Sequence, residues 1–383
     1  MPPIRVTYRV PAGTRSDAEA MAASLLVEQT VETPPAVSGR YPFVREHLAG
    51  RVVRVEPSAD GVYCAHLELP TLVAETDPAQ LLNVLFGNAS IHAGVALEAF
   101  TLPDDLLAGY GPRFGVGGLR ALCGVADRPL VASALKPAGL TPDELAALAR
   151  AMGEGGLDLI KDDHYLADAE RAPFEARVIA VTRALEAAAQ RTGRRTRYAP
   201  NLSGTPDAIR RQADAAARLG ADAVLVAPML IGLPTMLELA RTCGLPVLAH
   251  PAFSGASSMP APLLVGRLFR LFGADAVIFA GYGGRFAVPP RACRALADEA
   301  RGPLGGLLPA LPVPAGGMTR ERAAELVAFY GRDAALLVGG SLLEAGDRLA
   351  DETRALVEAV ATAALALAAP SAPPPSPDAP PDA

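Results

Sequence analysis

Lys161, Asp162, Asp163 and His164 stand in a row at the end of an apolar run, in the segment GGLDLIKDDHYL. An ammonium group carried directly on an apolar strand is costly unless it is paired, neutral or modified. A neutral lysine amine can add CO₂ to become a carbamate, which turns a cation into an oxygen ligand for a hard cation. Asp163 supplies a second oxygen and His164 an imidazole. Together the three could hold Mg²⁺ with positions left open for substrate oxygens. The competing reading is a salt-bridged lysine–aspartate cluster that merely closes the strand end, since structural ion pairs are common.

Other residues point towards the same chemistry. Lys136, in SALKPAGL, precedes a proline that holds it extended rather than helical. It could act as a general acid/base or as a cation for a substrate carboxylate, or it could simply pair with Asp162 or Asp163. His250, in LAHPAFSG, is either a hydrogen-bonded structural histidine or a member of the same site. Two glycine pairs, Gly316-Gly317 and Gly339-Gly340, each follow an apolar strand and precede a helix. Glycine there lets backbone N–H groups approach an anion, the usual phosphate site of a barrel, although ordinary turns also use glycine. Two pairs on adjacent strands favour phosphate. Asn201 and the run Gly281 to Arg285 complete the polar set.

The elements that must position these residues are legible in the rhythm of the chain. From Pro129 onward the pattern strand–loop–helix repeats with a period of about 25 to 35 residues, the length of a βα unit. Strands are predicted at Leu130–Leu135, Leu157–Ile160, Thr196–Tyr198, Ala223–Val226, Pro246–Ala249, Ala276–Phe279, Leu311–Pro314 and Ala335–Val338. The first intervening helix opens on a capping box, Thr141-Pro142-Asp143-Glu144. Eight repeats predict a closed parallel barrel, with an open doubly wound sheet as the alternative. In a barrel, chemistry sits at the carboxyl ends of the strands, where all the residues named above fall, including two of the five histidines.

Residues 1–125 read differently. Strands are predicted at Ile4–Arg9, Val52–Pro57 and Val62–Leu69, and helices at Asp17–Glu28 and from Pro78 to Leu85 behind an Asp77 cap. This β-α-β-β-α-β order is ferredoxin-like. Asp104 to Leu122 reads as a connection. The expectation is an α/β chain: an N-terminal ferredoxin-like α+β domain over 1–125, a (β/α)₈ TIM barrel over 126–369, and a disordered Pro/Ala-rich tail over 370–383. The tail can bury almost nothing.

Bulk properties bound the partners. At 383 residues the chain has room for a barrel of about 250 residues and a second domain. A formal charge of −6 provides no field for nucleic acid or an acidic membrane, so a small molecule is the expected partner. Four scattered cysteines without a C-x-x-C pair fit a reduced compartment. The N-terminus lacks a signal-peptide core, and the longest near-apolar stretch falls well short of the roughly 20 residues that span a bilayer. A cytoplasmic protein is expected.

SALKPAGL, GGLDLIKDDHYLAD, YAPNLSG, LAHPAFSG, GGRF, PAGGM and LLVGGSLL occur in the order found in RuBisCO and RuBisCO-like proteins. VEQTVETP and LFGNAS in the N-terminal half resemble the segments by which that family reaches a partner subunit's active site. The chain thus resembles a RuBisCO-like protein, form IV of the RuBisCO large-chain family. The resemblance implies a carbamylated Lys161 that binds Mg²⁺ with Asp163 and His164, proton transfer by Lys136, and phosphate on Gly316, Gly317, Gly339 and Gly340. It implies that Glu28, Thr33 and Asn88 act in the neighbouring subunit's site, so that a homodimer is the minimal active unit.

The departures argue against carboxylase activity. RuBisCO has glutamate where this chain has His164, a second lysine where it reads KPAGL with Ala138 and one residue fewer, and an arginine where it has Pro251. RuBisCO's sixth loop carries a lysine; here AGYGGRF offers only Arg285. The KPAGL and KDDH variants look most like the branch that acts on branched sugar acids. They lead to the expectation of an Mg²⁺-dependent decarboxylase of a 3-oxo-isoapionate 4-phosphate type substrate, with Lys136, Lys161, His250 and Arg285 catalytic and Asn201 orienting the substrate. The alternatives are an isomerase or enolase of ketose phosphates, a transcarboxylase/hydrolase, and, from another class, a non-catalytic barrel that binds sugar phosphate.

Overall fold

Burial alternates strictly along Ile4–Pro11 (β1), with Ile4, Val6, Tyr8 and Val10 inside, and this alternation makes the segment one face of a sheet. A computed structural model describes residues 2–74, 77–284 and 286–368; Arg285 and the tail expected to be disordered lie outside the described residues. Arg15–Glu28 (α1) follows, opened by a reciprocal capping box between Thr14 and Asp17. Arg51–Ala59 (β2) and Val62–Leu69 (β3) form the expected hairpin. Pro78–Phe86 (α2) starts where Asp77 accepts hydrogen bonds from the N–H groups of Ala79 and Gln80. Ala96–Thr101 (β4) completes an antiparallel sheet of order β2-β3-β1-β4, the ferredoxin-like arrangement.

The second unit is a barrel of eight parallel strands: Leu130–Leu135 (β5), Leu159–Asp162 (β6), Arg197–Ala199 (β7), Val224–Val226 (β8), Val247–Ala249 (β9), Ala276–Ala280 (β10), Leu311–Ala315 (β11) and Ala335–Val338 (β12). Closure, which the sequence pattern left open against a flat sheet, comes from the β7–β8 seam. There Leu225 donates to Pro200 O at 2.9 Å and Leu202 donates to Leu225 O at 2.8 Å. Alternate residues fill the interior, among them Leu130, Ala132, Leu159, Leu225, Ile278, Val313 and Leu337. Their neighbours face outward against the helices.

Gly115–Cys123, expected as part of a connection, is a helix (α3). Its Val116 and Leu119 join the interior cluster, so it plugs the amino-terminal end of the barrel. The helices that matter for the site are Pro142–Glu154 (α4), Phe174–Thr192 (α5), Pro290–Arg301 (α6) and Ala323–Tyr330 (α7). The capping box expected at Thr141 and Glu144 opens α4. At the plugged end, buried aspartates tie neighbouring backbones together. Asp158 accepts a two-pronged Arg128 guanidinium at 2.6 and 2.8 Å and the N–H of Val131 at 2.7 Å. Asp275 accepts N–H groups of Phe114, Gly115 and Val247 at 2.6, 2.7 and 2.8 Å. Among the described residues, no helix is long and apolar enough to cross a membrane.

Candidate active site

Lys161 and Asp162 lie within β6, not after it as the sequence reading had them. The two-residue period of a strand then decides where each side chain goes. Lys161 points into the carboxyl end of the barrel, and Asp162 points outward. There Asp162 is fully buried and bonded to Arg177 Nε of α5 at 2.9 Å, to the Tyr198 hydroxyl at 2.7 Å and to the Asn201 N–H at 3.0 Å. Asp163 turns back towards the interior.

Lys161 is 3% exposed, and its ammonium donates to the Asp162 carbonyl at 2.9 Å. Burial pulls its pKa down to about 8, while Asp163 pulls the other way. Burial alone would raise the Asp163 carboxyl. The His164 ring, the Tyr165 N–H at 3.1 Å and the ammonium groups of Lys161 and Lys136 outweigh it and hold the group well below the usual carboxylate range. Lys136 Nζ lies 3.3 Å from Asp163 Oδ2, the pairing weighed above as the structural alternative for that lysine.

His164 stacks on His250 with ring centroids 4.0 Å apart. His250 Nδ1 accepts the Ala252 N–H at 3.1 Å, which leaves Nε2 as the protonated nitrogen of a neutral ring. Burial, with Lys161 and then His164 adding positive charge nearby, pushes the His250 pKa down to about 2.

These side chains share a cavity of about 700 Å³. Lys136, Lys161, Asp163, His164 and His250 line one side, and Gly316, Gly317, Gly339 and Gly340 line another. Gly316 and Gly317 are both left-handed, at φ +81° and +66°, a conformation glycine takes without strain. Sequence reasoning overlooked the aromatic rim of Tyr165, Phe253 and Phe286. Its signal was present: Tyr165 directly follows His164, and Phe253 comes three residues after His250. Phe253 has φ +67°, a costly conformation for a bulky side chain, and it is 64% exposed at the mouth.

Four expected site residues do not line this cavity. Asn201 is buried, and its side-chain amide donates to the carbonyls of His164 and Leu166, so it braces the loop. Glu28, Thr33 and Asn88 belong to the N-terminal domain. Glu28 pairs with His92 at 2.8 Å, and Asn88 donates to Glu32 at 3.1 Å.

The donors can be tested against a divalent cation. Among the described residues no three His, Cys, Asp or Glu side chains gather as a ready-made cage. Asp163 and His164 do stand together, and His164 Nδ1 is buried without a hydrogen-bond partner, 3.2 Å from Asp163 Oδ1. An orphaned ring nitrogen beside a carboxylate is satisfied by a cation. A neutral Lys161 amine can supply the third donor as a carbamate. The set fits.

Comparison with known proteins agrees with this architecture. Residues 115–364 match the family model of the ribulose bisphosphate carboxylase large chain, catalytic domain. The chain is 47% identical over 364 residues to a 5-methylthioribulose-1-phosphate isomerase of Rhodospirillum rubrum, covering 94% of this chain and 97% of the relative. It is 32% identical to a 2,3-diketo-5-methylthiopentyl-1-phosphate enolase of Microcystis aeruginosa, covering 94% and 93%. The crystal structure of a RuBisCO-like protein from Rhodopseudomonas palustris superposes with a TM-score of 0.86 at 44% identity, covering 94% of this chain and 98% of that one. With the barrel, the strand-end cluster and these relatives in agreement, the chain belongs to the RuBisCO large-chain family, as one of its RuBisCO-like proteins.

Proposed function

We propose that the protein is an Mg²⁺-dependent isomerase of a ketose phosphate with an apolar tail, of the methylthiopentulose phosphate kind. It moves a proton between carbons next to a carbonyl. The names of the relatives favour this alternative over the decarboxylase expected from the KPAGL and KDDH variants. The observation that carries it is the division of one cavity into three zones: a titratable cluster, two glycine turns and an aromatic rim. A branched 3-oxo sugar acid would press hydroxyls and a carboxylate against Tyr165, Phe253 and Phe286, which offer mostly apolar surface, and desolvating unpaired polar groups is costly. An apolar tail gains from the same contact.

In this reading the glycine turns at 316–317 and 339–340 take the phosphate through backbone N–H groups. Lys136 moves the proton; it stands between Asp163 and Gly339, where an added Cβ would lie 3.8 Å from Nζ. The neutral His250 donates from Nε2 to a substrate oxygen. Asp163, His164 and carbamylated Lys161 would hold Mg²⁺, which when bound polarises the substrate carbonyl. Glu28, Thr33 and Asn88 would serve the partner's site in a homodimer.

The test is turnover of 5-methylthioribulose 1-phosphate in D₂O, followed by NMR. Isomerisation with deuterium entering beside the carbonyl and no CO₂ release is expected, and Lys136→Met should lower it by about 10²- to 10⁴-fold. CO₂ release from 3-oxo sugar acid phosphates without exchange on ketose phosphates would restore the decarboxylase. Phosphate-ester binding with no turnover of either substrate would favour the non-catalytic barrel.

A further inference from the structure

The loop after β10 and the double-glycine turn after β11 touch backbone to backbone. A Cβ placed on Gly317 would lie 2.6 Å from Gly283 C and O and from Gly284 N, and one on Gly284 would lie 2.9 Å from Gly316 C. Real side chains do not fit at such distances, so the seam closes only because both partners are glycine. One side chain spans it. Arg322, just before α7, donates from Nη1 to the carbonyls of Tyr282 at 3.2 Å and Gly317 at 2.6 Å. Its Nε and Nη2 are held by Glu325 at 2.9 and 2.8 Å, and its guanidinium lies 4.9 Å from the Tyr282 ring centroid. Tyr282 in turn packs on Phe329 of α7, with centroids 4.7 Å apart. With its fork committed to two carbonyls and a carboxylate, Arg322 is not among the residues that line the cavity.

We propose that Arg322 is a positioning residue for the phosphate end of the site. One guanidinium fixes the 282–284 stretch after β10 against the Gly316-Gly317 turn, so that the anion cradle is formed before substrate arrives. Pre-formed donors bind an anion without the cost of ordering them at that moment. The inference rests on the reading above that the glycine turn takes phosphate. Lysine cannot replace arginine here, because a point charge does not bridge two carbonyls and a carboxylate at once.

The experiment titrates inorganic phosphate into the full-length protein by calorimetry and follows amide hydrogen exchange over 281–284 and 315–318. Arg322→Ala and Arg322→Lys should each weaken phosphate binding by about 10- to 100-fold, the scale on which small misplacements act. Exchange should rise in both segments together, and on ketose phosphate the change should fall on KM and not on kcat. Arg322→Lys, which keeps the charge, should melt with the wild type, so a lost cradle is not mistaken for lost folding. Wild-type phosphate affinity in both variants, or faster exchange confined to one segment, overturns the clamp, as does a wild type that does not bind phosphate. Failure of the wild type to isomerise any ketose phosphate, with these shifts intact, removes the isomerase reading and leaves the clamp standing.

Discussion

Lys161 shows how one burial decision sets up chemistry. With its pKa pulled down to about 8, roughly one amine in ten is neutral at pH 7, against fewer than about one in a thousand for an ordinary lysine. Only the neutral amine adds CO₂, so raising the pH through 8 should increase carbamate formation. We predict a carbamate signal in ¹³C NMR with ¹³CO₂ that climbs between about pH 7 and 9 and is missing from Lys161→Arg. A signal that ignores pH, or that survives the substitution, would mean that Lys161 is not the acceptor. The residues of this cluster were legible because scarce chemical types sit directly behind apolar runs, where an idle charge is expensive. Asn201 lies outside the cavity lining, a placement its sequence position did not reveal. An amide at a strand end has the same sequence signature whether it faces a ligand or braces the His164 carbonyl. The clamp made by Arg322 left no signal either, since the carbonyls it joins are 40 and 5 residues away and its pairing with Glu325 reads as an ordinary i,i+3 ion pair.

At the scale of elements, the barrel divides its labour between its two ends. The carboxyl end carries the cavity, and the amino end carries Asp158 and Asp275, whose carboxylates collect backbone N–H groups from neighbouring segments. Asp275→Ala would leave three N–H groups buried without an acceptor, a loss on the order of 3 kcal/mol or more. The expected result in urea is a lower midpoint with kcat/KM changed by less than about twofold, because the cavity lies at the opposite end of β10. An unchanged midpoint, or a loss of activity in protein still fully folded, would contradict that separation. Most strands were readable, since short apolar runs between helices leave few other readings, while β6 and β7, LIKD and RYA, carry charged residues that shifted their bounds by one or two residues. Two features were not. Barrel closure depends on a β7–β8 pairing that no local pattern encodes. The plug helix α3 was hidden by its own sequence, GVGGLRALC, whose three glycines are poor helix formers held in place by packing against the barrel floor.

At the scale of the whole molecule, the residues expected at the site form two groups. The cavity holds Lys136, Lys161, Asp163 and His164, while Glu28 and Asn88 lie in the N-terminal domain, where Glu28 meets His92 and the Ser24 hydroxyl and Asn88 meets Glu32. The turn bearing Asn88 is built with care. The buried Gln29 amide donates to the carbonyls of Asn83 and Val84 and accepts the Ala89 N–H at 2.9 Å. Tyr41, Phe43 and Ile91 are exposed in the same domain, an arrangement suited to burial against another surface. A symmetric dimer would join the two groups, each N-terminal domain completing the other chain's cavity. If so, Lys161→Ala and Glu28→Gln should each be inactive alone yet complement each other. Mixed and reassorted in equal amounts, half the dimers are hybrids and each hybrid has one intact site, giving about a quarter of the wild-type activity. The same mixture kept from exchanging subunits should stay at background. Background activity after full exchange, with hybrids demonstrated by mass, would show that each chain completes its own site, and Glu28 would then have no part in catalysis across the interface.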